Sequence, residues 1–497
     1  MKLLHSLTST RIWIGLGLFL TLLVWFLPWR FQVNDDEVMM WLVSGAYTGT
    51  PESFAVFIHP ILSGIFSGLY SWIPAVPWYP ITWFVLLFLS YGALIHYNAQ
   101  FSGRNFKGIC WDLLLLASLI HFSFFLQFSI VASFCITAGL VCRFGKNEIR
   151  SKILPSDLLI FAGVLIRWEV GIVLIGGTLA GLLFWRKEKN WIRAAILPVA
   201  LLLICILSKI IWVENSNLDQ FTEINRLRSQ VFDHPMLQLE KENWKEKDLS
   251  LYHFSNGLQD FQSDELGEQT LRKWKKDLDS SRMDFLGLDY LIKAWLTFVQ
   301  QEHFFLFLFA ISILQAILGK KKPVLWALLW IFLGFNLLLP FYLLKIQVFV
   351  LAFFLILIFQ LLWEDQNPIL KSLFHLTIAG LLILGIVWHI VSIFSSEKNI
   401  PDNSELIEIL ADLKAEGISE VYLVGQNKWY HSLVFENPLP FKILGWSSLL
   451  ELHQGNSATS KKAFLVQTKT YISNAAYFQE GNPKIQYLEE FVLITYP

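Results

Sequence analysis

Three consecutive carboxylates, Asp35, Asp36 and Glu37, stand in NDDEVMMWLVSGAYTG at residues 34–49, directly after the apolar run IWIGLGLFLTLLVWFLPW. At the mouth of a hydrophobic span a carboxylate has two chemical uses: general base for a hydroxyl, or oxygen ligand of a divalent cation such as Mg or Mn that binds phosphate. It also has a structural use, because acids in a first helical turn favour the helix dipole and mark the lipid–water boundary. Consecutive residues fan around a helix axis, so at most one or two of the acids point into a given cleft. Asn34 is expected to be the N-cap.

Ionisable groups at membrane depth are costly unless paired, hydrated or used. Arg167 and Glu169 interrupt LLIFAGVLIRWEVGIVLIGG, and a spacing of two on one helix disfavours their pairing, so each is expected to find another partner. Lys345, in LLLPFYLLKIQVFVLAFF, has no acidic neighbour in sequence. It reads as a phosphate ligand or as a lysine snorkelling to headgroups. In the stretch ENSNLDQFTEINRLRSQVFDHP, Arg226 and Arg228 are two apart, so one of them faces the membrane surface, with Arg226 the expected one. His59 opens HPILSGIFSGLY, where it caps a helix or shuttles a proton. Gln127 and His121, in IHFSFFLQFSI, read as packed polar residues. The sequence has no zinc-ligand spacing, nucleophile elbow, P-loop or paired-cysteine motif, so hydrolase, nucleotide-driven pump and thiol-redox readings lack support.

The elements that hold these residues are membrane helices. Hydrophobic residues make up 55% of the 497, with 42 Phe and 21 Trp against 16% charged residues, beyond what a soluble globular chain of this length carries. A net charge of -1 gives no reason to expect nucleic acid as a partner. The four cysteines, Cys110, Cys135, Cys142 and Cys205, lie in or beside apolar segments and read as small buried hydrophobes. A span needs about 20 residues. Runs near that length fall at 12–29, 79–97, 111–126, 127–142, 156–168, 169–185, 192–212, 303–318, 324–340, 346–363 and 372–393. The first continues into the acidic loop without a small-residue cleavage site, so it is expected to stay as a helix. If tracts 110–142 and 156–185 each cross twice, the basic clusters around Arg104, Lys146, Lys187 and Lys321 share one side. That side is expected to be the cytoplasm, with the amino terminus.

The expected fold is therefore mainly α: a polytopic membrane bundle of about 11 spans over residues 1–393, with outer interfacial helices and a small carboxy-terminal α/β domain over 394–497. The acidic loop 30–78, an outer helical region 213–302 and the terminal domain share the outer face. HPILSGIFSGLYSWIP is too short and glycine-weakened to span and is expected to lie at the interface. In the terminal region SELIEILADLKAEG reads as a helix, and ISEVYLVGQ, KAFLVQTKTYI and EFVLITYP as strands.

NDDEVMMWLVSGAYTG, then PESFAVFIHPILSGIFSGLY, then PWYPITWFVLLFLSYGALI resembles the start of the multi-spanning glycosyltransferases of the C superfamily, which include protein mannosyltransferases and lipid A aminoarabinose transferases. SGAYTGTP at 44–51 is also similar to the SG-x-YTG-x-P pattern of an uncharacterised bacterial group. The resemblance covers residues 11–98 most firmly and the remaining spans in arrangement. It implies a bacterial inner-membrane enzyme with a polyprenyl-phosphate-linked sugar as donor and an envelope glycan, lipid or protein as acceptor, membrane lipids being the other partner. It also implies Asp36 as the catalytic carboxylate, Asp35 or Glu37 as metal or orienting ligands, and Lys345 near the lipid phosphate. His59, Arg167, Glu169 and Arg226 complete the expected substrate-binding set. The arginine-centred outer-loop pattern of the family is missing near Lys345, and no second catalytic acid can be matched. Two other functions compete: a transporter or flippase of an envelope precursor, whose polar residues would spread across membrane depth, and a non-catalytic envelope binding protein.

Overall fold

The computed structural model describes residues 10–101, 106–145, 155–185, 191–216, 218–258, 268–282, 303–318, 322–338, 346–362, 372–396, 403–424, 441–443, 462–479, 482–488 and 491–496, with a few single positions between 292 and 341. Lys345 lies outside them, as do Arg104, Lys146, Lys187 and Lys321. The chain begins with α1 (Thr10–Trp25), β1 (Arg30–Phe31), α2 (Asn34–Ser44) and α3 (Pro60–Trp72). Apolar helices follow: α4 (Trp78–Phe101), α5 (Phe106–Phe124), β2 (Phe125–Leu126), α6 (Phe128–Phe144), α7 (Pro155–Ile166), α8 (Trp168–Trp185) and α9 (Trp191–Asn215). Among the described residues five helices are long and apolar enough to cross a membrane, from Trp78, Lys107, Trp168, Trp191 and His375, and six shorter apolar helices stand beside them. Phe19, Leu183, Phe184, Ile196 and Leu384 are exposed on these helices, a surface suited to hydrocarbon rather than water.

Both long apolar tracts fold back. Tyr97 near the end of α4 bonds the carbonyl of Gly145, just past α6, and Asn98 bonds Gly108 and Asp112 at the start of α5. The other ends of α5 and α6 meet at residues 125–127, so the chain reverses there. A β-carbon on Gly139 would lie 2.8 Å from the carbonyl of Ser156, and one on Gly163 2.8 Å from that of Ala132, so α6 and α7 run antiparallel at close range. The chain turns again at Arg167, between α7 and α8. Arg143 donates to both oxygens of Asp157 at 2.8 and 2.7 Å and to the carbonyl of Ala194 at 2.5 Å, tying α6, α7 and α9 at one end. Lys107, Arg143 and Arg193 thus share the end of the bundle opposite Asp36. Helix α6 is buried along nearly its whole length.

The region after α9 comprises α10 (Asp219–Phe232), α11 (Pro235–Leu239), α12 (Lys241–Lys247), α13 (Leu249–Ser255) and α14 (Glu268–Ser280). Pro235 ends α10 as expected, and Leu271, Trp274 and Leu278 form the buried stripe of α14. The remaining apolar helices are α15 (His303–Leu318), α16 (Lys322–Leu338), α17 (Ile346–Leu362) and α18 (Ser372–Ser396). The terminal region holds α19 (Asn403–Ala415), β3 (Glu420–Val424), β4 (Phe441–Ile443), β5 (Lys462–Gln467), α20 (Thr468–Ser473), α21 (Ala475–Gln479), β6 (Lys484–Tyr487) and β7 (Phe491–Thr495). The sheet order is β4-β3-β5-β7-β6, parallel between β3 and its two neighbours and antiparallel elsewhere. KAFLVQTKTYI was expected to be one strand, but it turns into α20 at Thr468. Strands β4 and β6 were not foreseen: the first has three residues, and the second, largely exposed, lacks a hydrophobic alternation. The terminal region joins these polar helices, Tyr477 donating to the carbonyl of Leu258.

Candidate functional site

The acidic turn is held by a tight reversal. Gly45 ends α2 with φ 84°, and a β-carbon there would come within 2.8 Å of Pro51 and Thr50, so the first glycine of SGAYTGTP is demanded by both dihedral and space. The segment then runs back along α2, with the amides of Tyr47 and Glu52 bonding the carbonyls of Trp41 and Leu42. At the other end Val33 precedes the helix and no side chain caps it; Asn34 is exposed, so the expected cap is not formed. β1 pairs in parallel with β2, which sets the start of α2 beside the start of α6.

This arrangement sorts the acids. Asp36 is 0% exposed; it accepts from Tyr79 Oη at 2.9 Å and from the Phe128 amide at 3.1 and 3.2 Å through its two oxygens. The first free N–H of α6 is therefore capped by a side chain from another helix. Burial pushes the Asp36 carboxyl well above the usual carboxylate range and the Asp35 charge adds to this, while the bonds from Tyr79 and Phe128 and the Arg167 charge oppose it. Glu37, 9% exposed, is also raised, by burial first and then by Asp36 and Asp35. Asp35 is half-buried.

Arg167 reaches the same helix start. Its guanidinium lies 4.8 Å from the Phe128 ring centroid and donates to Ser129 Oγ. It also stands 3.9 Å from Glu169, which the expected spacing rule disfavoured. The rule assumes one helix, and the helix breaks at Arg167, which frees the two side chains to turn toward each other. Phe57 stacks on Phe128 at 5.9 Å, bringing loop 53–59 to the cluster.

Lys209, near the end of α9, donates to the carbonyls of Phe57 at 2.8 Å and Val56 at 3.4 Å. Val56 has φ 49°, a left-handed conformation that a β-branched side chain resists, so the loop is strained where the lysine holds it. Lys209 is not among the residues expected at the site, although SKIIWVEN places a cation inside an apolar helix just as RWEV does. His59 caps α3: Nδ1 accepts from Ile61 N at 3.2 Å, and Nε2 donates to Ser208 Oγ at 3.0 Å. Because Nδ1 accepts, the ring is neutral, and burial followed by the Lys209 charge lowers its pKa. Arg226 is exposed on α10, whereas Arg228, the one not favoured, is buried and donates to Asn225. His121 bonds His389 of α18 at 3.2 Å amid aromatic rings, a packed pair as expected. Gln127 sits at the N-cap position of α6.

As metal ligands Asp35 and Asp36 fit poorly together, because Asp36 faces N–H and O–H donors that a cation would have to displace. What the cluster can do is bind an anion at Arg167 and Lys209 and take a proton at the acidic turn.

No family model and no curated relative matches the chain. Among solved structures, ArnT from Cupriavidus metallidurans bound to undecaprenyl phosphate aligns over 98% of each chain with 14% identity and a TM-score of 0.45. The same protein in the apo state gives 14% and 0.44 over the same share. A likeness at that level carries no inference about activity.

Proposed function

We propose that the chain transfers a sugar from a polyprenyl-phosphate donor to an envelope glycan, lipid or protein at the outer face of the bacterial cytoplasmic membrane. The observation that carries this reading is the meeting of an acidic turn with two cations, around the start of one buried helix and at one end of an apolar bundle: Asp36 on the Phe128 amide, Arg167 on its ring, and Lys209 on the loop beside it. The resemblance of residues 11–98 to C-superfamily glycosyltransferases supports it.

In the proposed reaction Arg167 and Lys209 hold the donor phosphate, exchanging Ser129 and loop carbonyls for phosphate oxygens, with Lys345 as a further phosphate contact. The sugar lies toward α2. An acceptor hydroxyl takes the place of the Tyr79 hydroxyl on Asp36 and gives up its proton there. As its oxygen bonds to the anomeric carbon, the bond from that carbon to the phosphate oxygen breaks, inverting the centre. The two cations meet the charge left on the polyprenyl phosphate. Burial raises the carboxyl's affinity for the proton that it takes from the hydroxyl.

The test is binding of polyprenyl phosphate to purified protein in nanodiscs. Arg167→Ala and Lys209→Ala are each expected to weaken it about tenfold or more, as loss of a charge-assisted bond does. Unchanged binding in both variants would remove the anion site and the reading with it.

A further inference from the structure

Gln127 lies where chain reversal and acidic turn meet, and its side chain has nothing to do in the fold. It is extended, φ -150° and ψ 128°, and its carbonyl accepts from the amides of Ile130 and Val131 at 3.0 Å. The residue at that position ordinarily caps the helix with its side chain. Here Gln127 makes no cap bond, and the side chain that reaches the helix start is Asp36 from α2, on the Phe128 amide. Its Oε1 and Nε2 are both buried without a partner among the described residues, and the residue is 0% exposed. Ser123 Oγ, four residues earlier on the last turn of α5, is likewise buried and unpartnered. Buried amides are nearly always hydrogen-bonded, so one that is free at both ends calls for a polar molecule in the junction.

The chemistry around it selects the molecule. Charge is already served by Asp35, Asp36, Arg167 and Lys209, whereas an amide offers two N–H donors and a carbonyl acceptor without charge. That set matches adjacent hydroxyls, each of which donates and accepts. It would leave an ammonium group or a carboxylate unneutralised. We propose that Gln127 reads the sugar of the donor, its amide exchanging hydrogen bonds with hydroxyls of an uncharged hexose or N-acetylhexosamine; this rests on the function proposed above.

The experiment compares the affinity of full-length protein in nanodiscs for sugar-free polyprenyl phosphate and for the same lipid carrying glucose, mannose, N-acetylglucosamine or 4-amino-4-deoxyarabinose. In the wild type an uncharged sugar is expected to add affinity over the bare lipid phosphate. Gln127→Leu should lose that increment, about tenfold, while its affinity for the bare lipid phosphate stays within about twofold. Gln127→Asn, which keeps the amide and shortens its reach, checks against a folding defect and should weaken the sugar increment alone. Gln127→Glu should shift preference toward the amino sugar. Equal affinities for bare and glycosylated lipid in the wild type, or an increment that survives Gln127→Leu, would overturn the proposal and leave ordered water as the partner of the amide. A wild type that binds no polyprenyl phosphate at all would remove the proposed function, and this inference with it.

Discussion

At the scale of single residues, the account turns on one carboxylate that is both buried and bonded. Asp36→Asn keeps shape and can still accept from Tyr79 and Phe128 through its carbonyl oxygen, but it deletes the base. Transfer is expected to fall by about 10²- to 10⁴-fold. Stability should move the other way. The folded-state pKa of Asp36 is raised, so the stability linked to its proton is present in acid and is lost as pH rises through the raised value. The variant should therefore unfold at the same temperature as wild type or higher at neutral pH, with the gap closing in acid; a variant clearly less stable at neutral pH would restore the purely structural capping role. Tyr79→Phe removes a bond that favours the carboxylate in the free enzyme, so the acidic limb of the kcat/KM profile should move to higher pH, a shift that loss of packing alone would not produce. The acidic turn and Arg167 were legible because ionisable residues beside apolar runs stand out. Which acid is inward was not legible from spacing, since that depends on Phe128 and Tyr79, distant in sequence; only the family resemblance pointed to Asp36. Lys209 was legible by the same rule as Arg167 and was passed over.

At the scale of elements, the site depends on how closely α6 and α7 approach, because Ser129 and Arg167 sit at their adjoining ends. Leucine at position 163 would drive a β-carbon to 2.6 Å from Ile136 Cγ1. Gly163→Leu is expected to destabilise the protein by about 1–3 kcal/mol and to weaken polyprenyl-phosphate binding with it. At the opposite end, Asp157→Ala leaves Arg143 buried without its carboxylate, an expected loss of about 3–5 kcal/mol with the anion site itself untouched. Thermal unfolding with and without polyprenyl phosphate separates the two: ligand should still stabilise the Asp157 variant and do little for the Gly163 variant. The reversals at 125–127 and 167 could be read from charge, since basic clusters share a side only if the chain turns there. The pairing of Arg167 with Glu169 could not, because it requires the helix break itself.

At the scale of the whole molecule, the acidic loop, the outer helices and the terminal sheet are expected on one side of the membrane, and Arg193 on the other. In a variant with Cys110, Cys135, Cys142 and Cys205 replaced, Glu240→Cys should react with a membrane-impermeant maleimide in intact cells and Arg193→Cys should not; the reverse pattern would invert the topology. The helical bundle was legible from composition and run length, and so were α19, β3 and β7 of the terminal region. The five-stranded order was not, because β4 is too short and β6 too exposed to leave a hydrophobic pattern. The central claim is sugar transfer, and its most direct measurement is turnover by purified protein in nanodiscs with polyprenyl-phosphate sugars as donors and envelope glycan, lipid and protein fractions as acceptors. The account predicts labelled product with at least one donor, lost in Asp36→Asn while that variant still binds the donor; full turnover by Asp36→Asn, or no transfer from any donor that the wild type binds, would contradict it.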